Sequence, residues 1–133
     1  MRTTLALGVA IMLVGGNMGT GAVNSQQPGT RRTELQRHDL SVPGREVLQV
    51  RVDLADGVRF PRHRHPGEEV IYVLKGTIEY QVEGQPSRAC KAGDVLMIPA
   101  RAVHTARNVG SGEAAELATY IVEKDKPLVE LVK

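Results

Sequence analysis

The stretch Gly57-Val-Arg-Phe60-Pro-Arg-His63-Arg-His65-Pro-Gly-Glu-Glu69-Val-Ile-Tyr72-Val-Leu-Lys-Gly76 decides how this chain is read. Side chains along a strand alternate between its faces, so His63 and His65 point the same way and can grip one ion together. Glu69 adds an anionic oxygen. It also opens a run, Glu69 to Leu74, that is nearly continuous in apolar and β-branched residues. Such a run predicts a strand covered on both faces. Histidine and glutamate are costly to bury without a partner, and coordination would supply one. Taken alone, His63-x-His65 is weak evidence, because Arg62, Arg64 and Pro66 beside it are polar or strand-breaking too.

A second spaced pattern lifts it: Gly93-x5-Pro99, followed by His104 and then Asn108. Gly57, Gly76 and Gly93 fall where strands reverse, and glycine alone enters positive φ freely. Pro99 ends a strand and stiffens the loop that delivers His104. Asn108 suits a turn, or a hydrogen bond behind the site, better than a ligand position. Three imidazoles and one carboxylate suit a borderline divalent ion such as Mn, Fe, Co, Ni, Cu or Zn.

Outward from these motifs the chain reads as short strands and turns. Leu48, Val50, Val52 and Leu54 alternate with Gln49, Arg51 and Asp53, the period of a half-buried strand. Ile78, Tyr80 and Val82 alternate again before a hairpin connection at Glu83-Gly-Gln-Pro86. Val95 to Ile98, Val103 to Val109 and Ala114 to Val122 are further strands, and Pro127 to Val132 could add an edge strand or cover a partner subunit. Asn24 to about Arg32 is polar and reads as a flexible leader. Without a convincing helical stretch after the N-terminal segment, the pattern is that of an all-β sandwich or barrel.

The two motifs together resemble the cupin superfamily, in particular small single-domain cupins of the type-2 conserved-barrel, quercetin-dioxygenase-like kind. The resemblance covers about residues 45–124. It implies an antiparallel jelly-roll barrel of six to eight strands, a metal set of His63, His65, Glu69 and His104, and a homodimer. The first motif matches without a substitution. The second departs at Arg101, where the family usually has glycine, which puts the tight turn there in doubt. Arg101 could greet an anionic ligand at the barrel mouth or simply face solvent.

At 133 residues there is room for one core and no second module. The expected layout is a signal peptide at 1–22, a flexible leader and first edge segment at 23–44, the cupin barrel at 45–124, and a tail at 125–133. Arg2 followed by apolar Leu5–Val14 and then Thr20-Gly-Ala22 is the pattern of an export signal. The apolar run is well short of the roughly twenty residues a membrane-spanning helix needs. The alternative is an uncleaved N-terminal anchor. The expected location is therefore periplasmic or secreted, with no stable membrane association after cleavage. A net charge of +2 with interspersed signs, and only Arg59, Arg62 and Arg64 clustered, argues against nucleic-acid binding. Cys90 is the sole cysteine, so no intramolecular disulfide can form, and a small buried hydrophobe is its expected role.

Four protein ligands leave one or two open positions on a five- or six-coordinate ion, the mark of a catalytic or ligand-sensing site. A redox-active Fe, Mn, Ni or Cu could there act on O2 and a small enediol or catechol-like substrate, with Glu69 loosening to act as general base. Phe60 and Tyr72 stand nearest the ligands in sequence and, with Arg101, are the expected pocket residues. Aromatics are otherwise scarce, with Tyr80, Tyr120 and no tryptophan, which favours a small ligand over a large stacked polyphenol. The competing readings are a non-enzymatic metal-dependent binding protein for a small molecule or sugar, and a metal-assisted isomerase.

Overall fold

The computed structural model describes residues 27–133, so the segment read as an export signal lies outside the described residues. Ten strands run in chain order: β1 (Thr30–Asp39), β2 (Arg45–Leu54), β3 (Arg59–Arg64), β4 (Gly67–Lys75), β5 (Thr77–Val82), β6 (Arg88–Lys91), β7 (Val95–Ile98), β8 (His104–Asn108), β9 (Ala114–Glu123) and β10 (Glu130–Leu131). They form two antiparallel five-stranded sheets, ordered β1-β2-β9-β4-β7 and β10-β3-β8-β5-β6. No helix occurs among the described residues.

The core lies between the two sheets and follows the period-two pattern. Leu48, Val50, Val52 and Leu54 of β2 meet Ile71 and Val73 of β4 and Ala118, Tyr120 and Val122 of β9 in one buried cluster. Ile78, Tyr80 and Val82 of β5 and Phe60 of β3 complete it from the second sheet. Cys90 is fully buried within this cluster, in keeping with its expected apolar role.

Several expectations are corrected by the strand geometry. The barrel has ten strands rather than six to eight, because β1 and β10 add one edge to each sheet. The leader is shorter than its composition suggested: residues 30–32 already belong to β1, held by the ladder that pairs Thr30 with Leu54 and Arg32 with Val52. The apolar run of β4 is not covered on both faces. Val70, Tyr72 and Leu74 point outward and are exposed, while Glu69, Ile71 and Val73 point inward. Of the two readings of the tail, the edge strand is the one seen: β10 pairs with β3.

Two turn positions show why glycine or its substitute matters. Gly76 has φ of 72°, and a Cβ there would stand 2.9 Å from the Ala114 Cβ. Arg101 occupies the position where the family pattern has glycine, and it adopts the left-handed backbone itself, with φ of 63°. The tight turn therefore survives the substitution at the cost of local strain. Its N–H donates to the His65 carbonyl at 3.2 Å, tying the loop before β8 to the end of β3.

Asn108 closes the far end of the barrel. Its side-chain nitrogen lies 3.1 Å from the carbonyl oxygens of Leu54 and Ala55 and 2.7 Å from that of Gly112. Its side-chain oxygen accepts from the Gly110 N–H at 3.1 Å. One amide thus joins the β2–β3 and β8–β9 connections, a turn role rather than a ligand role. Asn108→Ala leaves these buried groups unsatisfied, and we expect it to lower unfolding stability by about 3 kcal/mol. A denaturant midpoint within error of the wild type would refute that assignment.

Candidate metal centre

His63 and His104 face each other across the β3–β8 ladder, where they are directly paired. Their rings stand 4.1 Å apart between centroids. His65 follows just after β3 and turns inward beside them, with its ring 4.9 Å from that of His63. The ligand-capable atoms of the three imidazoles lie within 4.8 Å of one another, and all three residues are buried. Glu69 enters from the opposite sheet. Its Oε2 lies 3.1 Å from both His65 Nε2 and His104 Nε2.

The Nδ1 atoms settle which nitrogen faces the centre. Each is matched with a backbone carbonyl: His63 with Pro61 at 2.7 Å, His104 with Ala102 at 2.9 Å, and His65 with Leu128 at 2.6 Å. A carbonyl only accepts, so each Nδ1 carries a hydrogen and Nε2 is the nitrogen that faces inward, offering a lone pair to a metal that displaces any proton shared with Glu69. This is the usual support for metal-bound imidazole. His65 Nε2 and Glu69 Oε2 are buried and have no aligned hydrogen-bond partner among the described residues. Three inward lone pairs, one carboxylate and two orphaned buried atoms fit a divalent transition metal.

Proton affinities follow from the same packing. Burial, reinforced by the neighbouring imidazoles His104 and His65, pulls His63 down to about 3. Burial would raise Glu69, but His65 and His104 outweigh it and hold the carboxyl well below its ordinary range. Burial would lower His104, but its contact with Glu69 outweighs that and raises it. In the unfolded chain His63 takes up its proton near the ordinary histidine value of about 6.5, whereas folded His63 resists until about 3. The unfolded state therefore binds more protons at this site across that window, and His63 by itself costs metal-free protein stability as pH falls through it. The stabilising His104 contribution is fully present below 6.5, and that of Glu69 fades only below 4.5. Buried Glu116 works the other way: raised to about 7, it holds a proton in the folded chain that the unfolded chain takes up only near 4.5, so it offsets His63 between pH 6.5 and 4.5. We expect the unfolding free energy of metal-free wild type to change little over that window. In His63→Asn the Glu116 contribution stands alone, and stability should rise by up to about 1.4 kcal/mol per pH unit as pH falls from 6.5 to 4.5; a flat profile in the variant would refute the assignment.

Beside the four candidate ligands lies a cavity of about 10 Å³, lined among others by Arg32, Phe60, Tyr80, Glu116 and Tyr120. That is room for about one water-sized group. Phe60 lines this cavity, buried with its ring edge-on to His63 at 4.6 Å. A bulge between Phe60 and His63 brings these two residues, three apart, to the same face. Tyr72 is not in the pocket. It follows Ile71 on β4, so alternation sends it to the outer face, where it is 47% exposed. Arg101 is also outside the cavity. Its exposed guanidinium pairs with Glu123 at 3.0 Å, and it borders a separate groove that is lined by His65, Arg64, Lys126 and Glu130 among others.

Four cavity residues were absent from the expected site. Arg32 was hidden in a segment read as leader. Tyr80, Glu116 and Tyr120 lay within strands read as core. Glu116 did carry a signal: it shares inward parity with Ala114, Ala118, Tyr120 and Val122, so its burial could have been read from the alternation. It is hydrogen-bonded by the Tyr80 hydroxyl. Burial and the nearby Glu69 charge push its carboxyl up to about 7, against the pull of Tyr80 and Arg32.

Comparison with known proteins points the same way. A germin-like protein 1-1 of Oryza sativa subsp. japonica is 35% identical over 88 residues, which are 60% of this chain and 41% of that protein. The dimethylsulfoniopropionate lyase DddQ of Ruegeria pomeroyi is 37% identical over 51 residues, covering 38% of this chain and 25% of the lyase. The chain thus spans half or less of the length of the curated relatives it matches. Among solved structures, an oxalate oxidase in complex with the substrate analogue glycolate superposes with a TM-score of 0.65 at 29% identity, covering 84% of this chain and 59% of that one. A cupin-like protein of Thermotoga maritima superposes with a TM-score of 0.63 at 26% identity, covering 77% of this chain and 75% of the other. The family model for the cupin domain matches residues 50–121, more than half of the chain, and the protein belongs to that family.

Proposed function

We propose that this protein is a mononuclear metal enzyme that acts on a compact oxygen-rich substrate, an enediol or small acid, as a dioxygenase or related oxidoreductase. The observation that carries the reading is the convergence of His63, His65, His104 and Glu69 beside a cavity, lined by three of the four, that also holds a second carboxylate and a guanidinium. A divalent ion would supply Lewis acidity there, and Fe, Mn, Ni or Cu would add redox capacity. The small volume favours the enediol end of the expected range: any substrate needs side chains to move aside, and a catechol ring needs the larger movement. The likeness to an oxalate oxidase holding glycolate supports the same substrate scale.

Within the cavity the two carboxylates divide the work. Glu69 is held anionic by two imidazoles and is the general base of this reading. Glu116, near 7 and hydrogen-bonded by Tyr80, is the group whose proton exchanges at neutral pH. Glu116→Gln should remove the pH-rate limb near neutrality while leaving metal content unchanged. An unaltered pH profile in that variant would assign the proton to another group.

Oxygen uptake by Fe(II)-, Mn- or Ni-loaded protein against a panel of enediols and small hydroxy acids tests the enzymatic reading. Tight ligand binding without turnover would instead support a metal-dependent binding protein. Export belongs to the same reading, on the strength of the N-terminal sequence, and recovery of the full chain in the cytoplasmic fraction would count against it. So does a homodimer, but with a different contact from the tail. Val70, Tyr72, Val95 and Met97 form an exposed apolar patch on β4 and the edge strand β7, and Met97→Lys should then yield monomers by light scattering.

A further inference from the structure

We infer that Arg32 and Tyr120 form an anion-receiving arm that holds one carboxylate oxygen of the ligand, beside the candidate metal ligands: Tyr120 is the cross-strand partner of Glu69, and its ring packs against that of His65 at 4.7 Å. This rests on the metal-centred reading above and names the charge class of its substrate.

The strand register delivers the arginine. Arg32 is paired with Val52, an inward core residue, so its side chain enters the barrel rather than solvent. Its guanidinium is then held in one pose. The Arg32 carbon lies 5.5 Å from the Tyr120 ring centroid and 5.9 Å from that of Phe60, both within the range of cation–π attraction. One terminal nitrogen donates to the Tyr120 hydroxyl at 2.9 Å. These contacts orient the group without neutralising it.

No carboxylate among the described residues comes within ion-pair distance of Arg32, although Glu69 and Glu116 line the same cavity. By contrast Arg31, the preceding residue, points outward and pairs with Asp53 at 3.1 Å. A cation drawn into a protein wall is costly unless an anion meets it. The Tyr120 oxygen already accepts from Arg32, and its own hydroxyl hydrogen has no acceptor among the described hydrogen bonds. Two donors of different residues, an N–H fork and an O–H, therefore face one small space. Guanidinium geometry suits a carboxylate. The space beside them is about 10 Å³, room for one water-sized group, so the ligand is a compact carboxylate and the arm takes one of its oxygens.

The test uses the full chain loaded with Co(II), whose visible spectrum reports ligand entry, titrated with glycolate and with its neutral counterpart glycolamide. The wild type should bind glycolate and discriminate against glycolamide. Arg32→Gln should weaken glycolate by about 10- to 100-fold, with cobalt affinity unchanged. Tyr120→Phe keeps the ring against His65 and should weaken glycolate by a smaller factor, which guards against a folding defect in the arginine variant. Glycolate affinity unchanged in Arg32→Gln, or equal affinity for glycolamide, overturns the arm. If cobalt does not bind, the metal reading fails by itself. Calorimetry of glycolate on metal-free protein then decides the arm separately: heat lost in Arg32→Gln supports it, and no heat with wild type overturns it.

Discussion

His65→Ala should abolish retention of a divalent transition metal through dialysis, weakening affinity by more than about 100-fold. The scale follows from the wiring of this side chain. Disturbing only the partner of a metal-bound imidazole typically costs 10- to 100-fold, and this substitution removes the imidazole itself. It also leaves Glu69 Oε2 with one imidazole contact instead of two, both now at 3.1 Å. The Leu128 carbonyl, now 2.6 Å from His65 Nδ1, loses its donor. Elemental analysis after dialysis against a mild chelator reads the result. Stoichiometric metal in the variant at near wild-type affinity would show that the cluster is not the metal site. The fold should persist, because the ring lies at the rim of the core and its neighbour Tyr120 stays anchored by Arg32.

The second large effect comes from a segment far away in sequence. Removal of residues 127–133 should weaken metal affinity by about 10- to 100-fold and lower stability by about 3 kcal/mol. His63 and His104 take carbonyls two residues back in the chain, so their acceptors are local. His65 alone depends on a distant acceptor, the Leu128 carbonyl. That carbonyl is held in place because Leu128 and Val129 are buried, β10 pairs with β3, and Arg64 clasps Glu130 at 2.5 Å. The salt bridge is exposed and adds little by itself, whereas burying the two apolar side chains does most of the holding. Paired measurements of metal affinity and denaturant midpoint on the shortened chain check this. Folded, shortened protein that binds metal as tightly as the intact chain would remove the tail from the site. Leu128→Ala should move both readouts in the same direction by smaller amounts.

How much of this was legible beforehand differs residue by residue. His63, His65, Glu69 and His104 could be grouped from spacing, because alternation along a strand is a local rule and the two motifs lie on neighbouring elements. The same rule, applied to β4, would have excluded Tyr72, which was placed in the pocket for its nearness in sequence. Phe60 lies inside only because a bulge shifts the register by one residue, and nothing in its neighbours announces that bulge. Arg101 shows a different gap. The missing glycine was visible, but whether arginine would open the turn or accept φ of 63° depended on the loop ends being pinned by the barrel.

An all-β chain, the alternation of β2, β5 and β9, and four side chains grouped as candidate ligands were legible in the residues alone, since each follows from period-two alternation and turn chemistry. What surrounds those side chains depends on the packed fold. Arg32, Glu116 and the Leu128 carbonyl reach the centre through pairings between strands far apart in the chain, and register between distant strands is set by how the whole core packs.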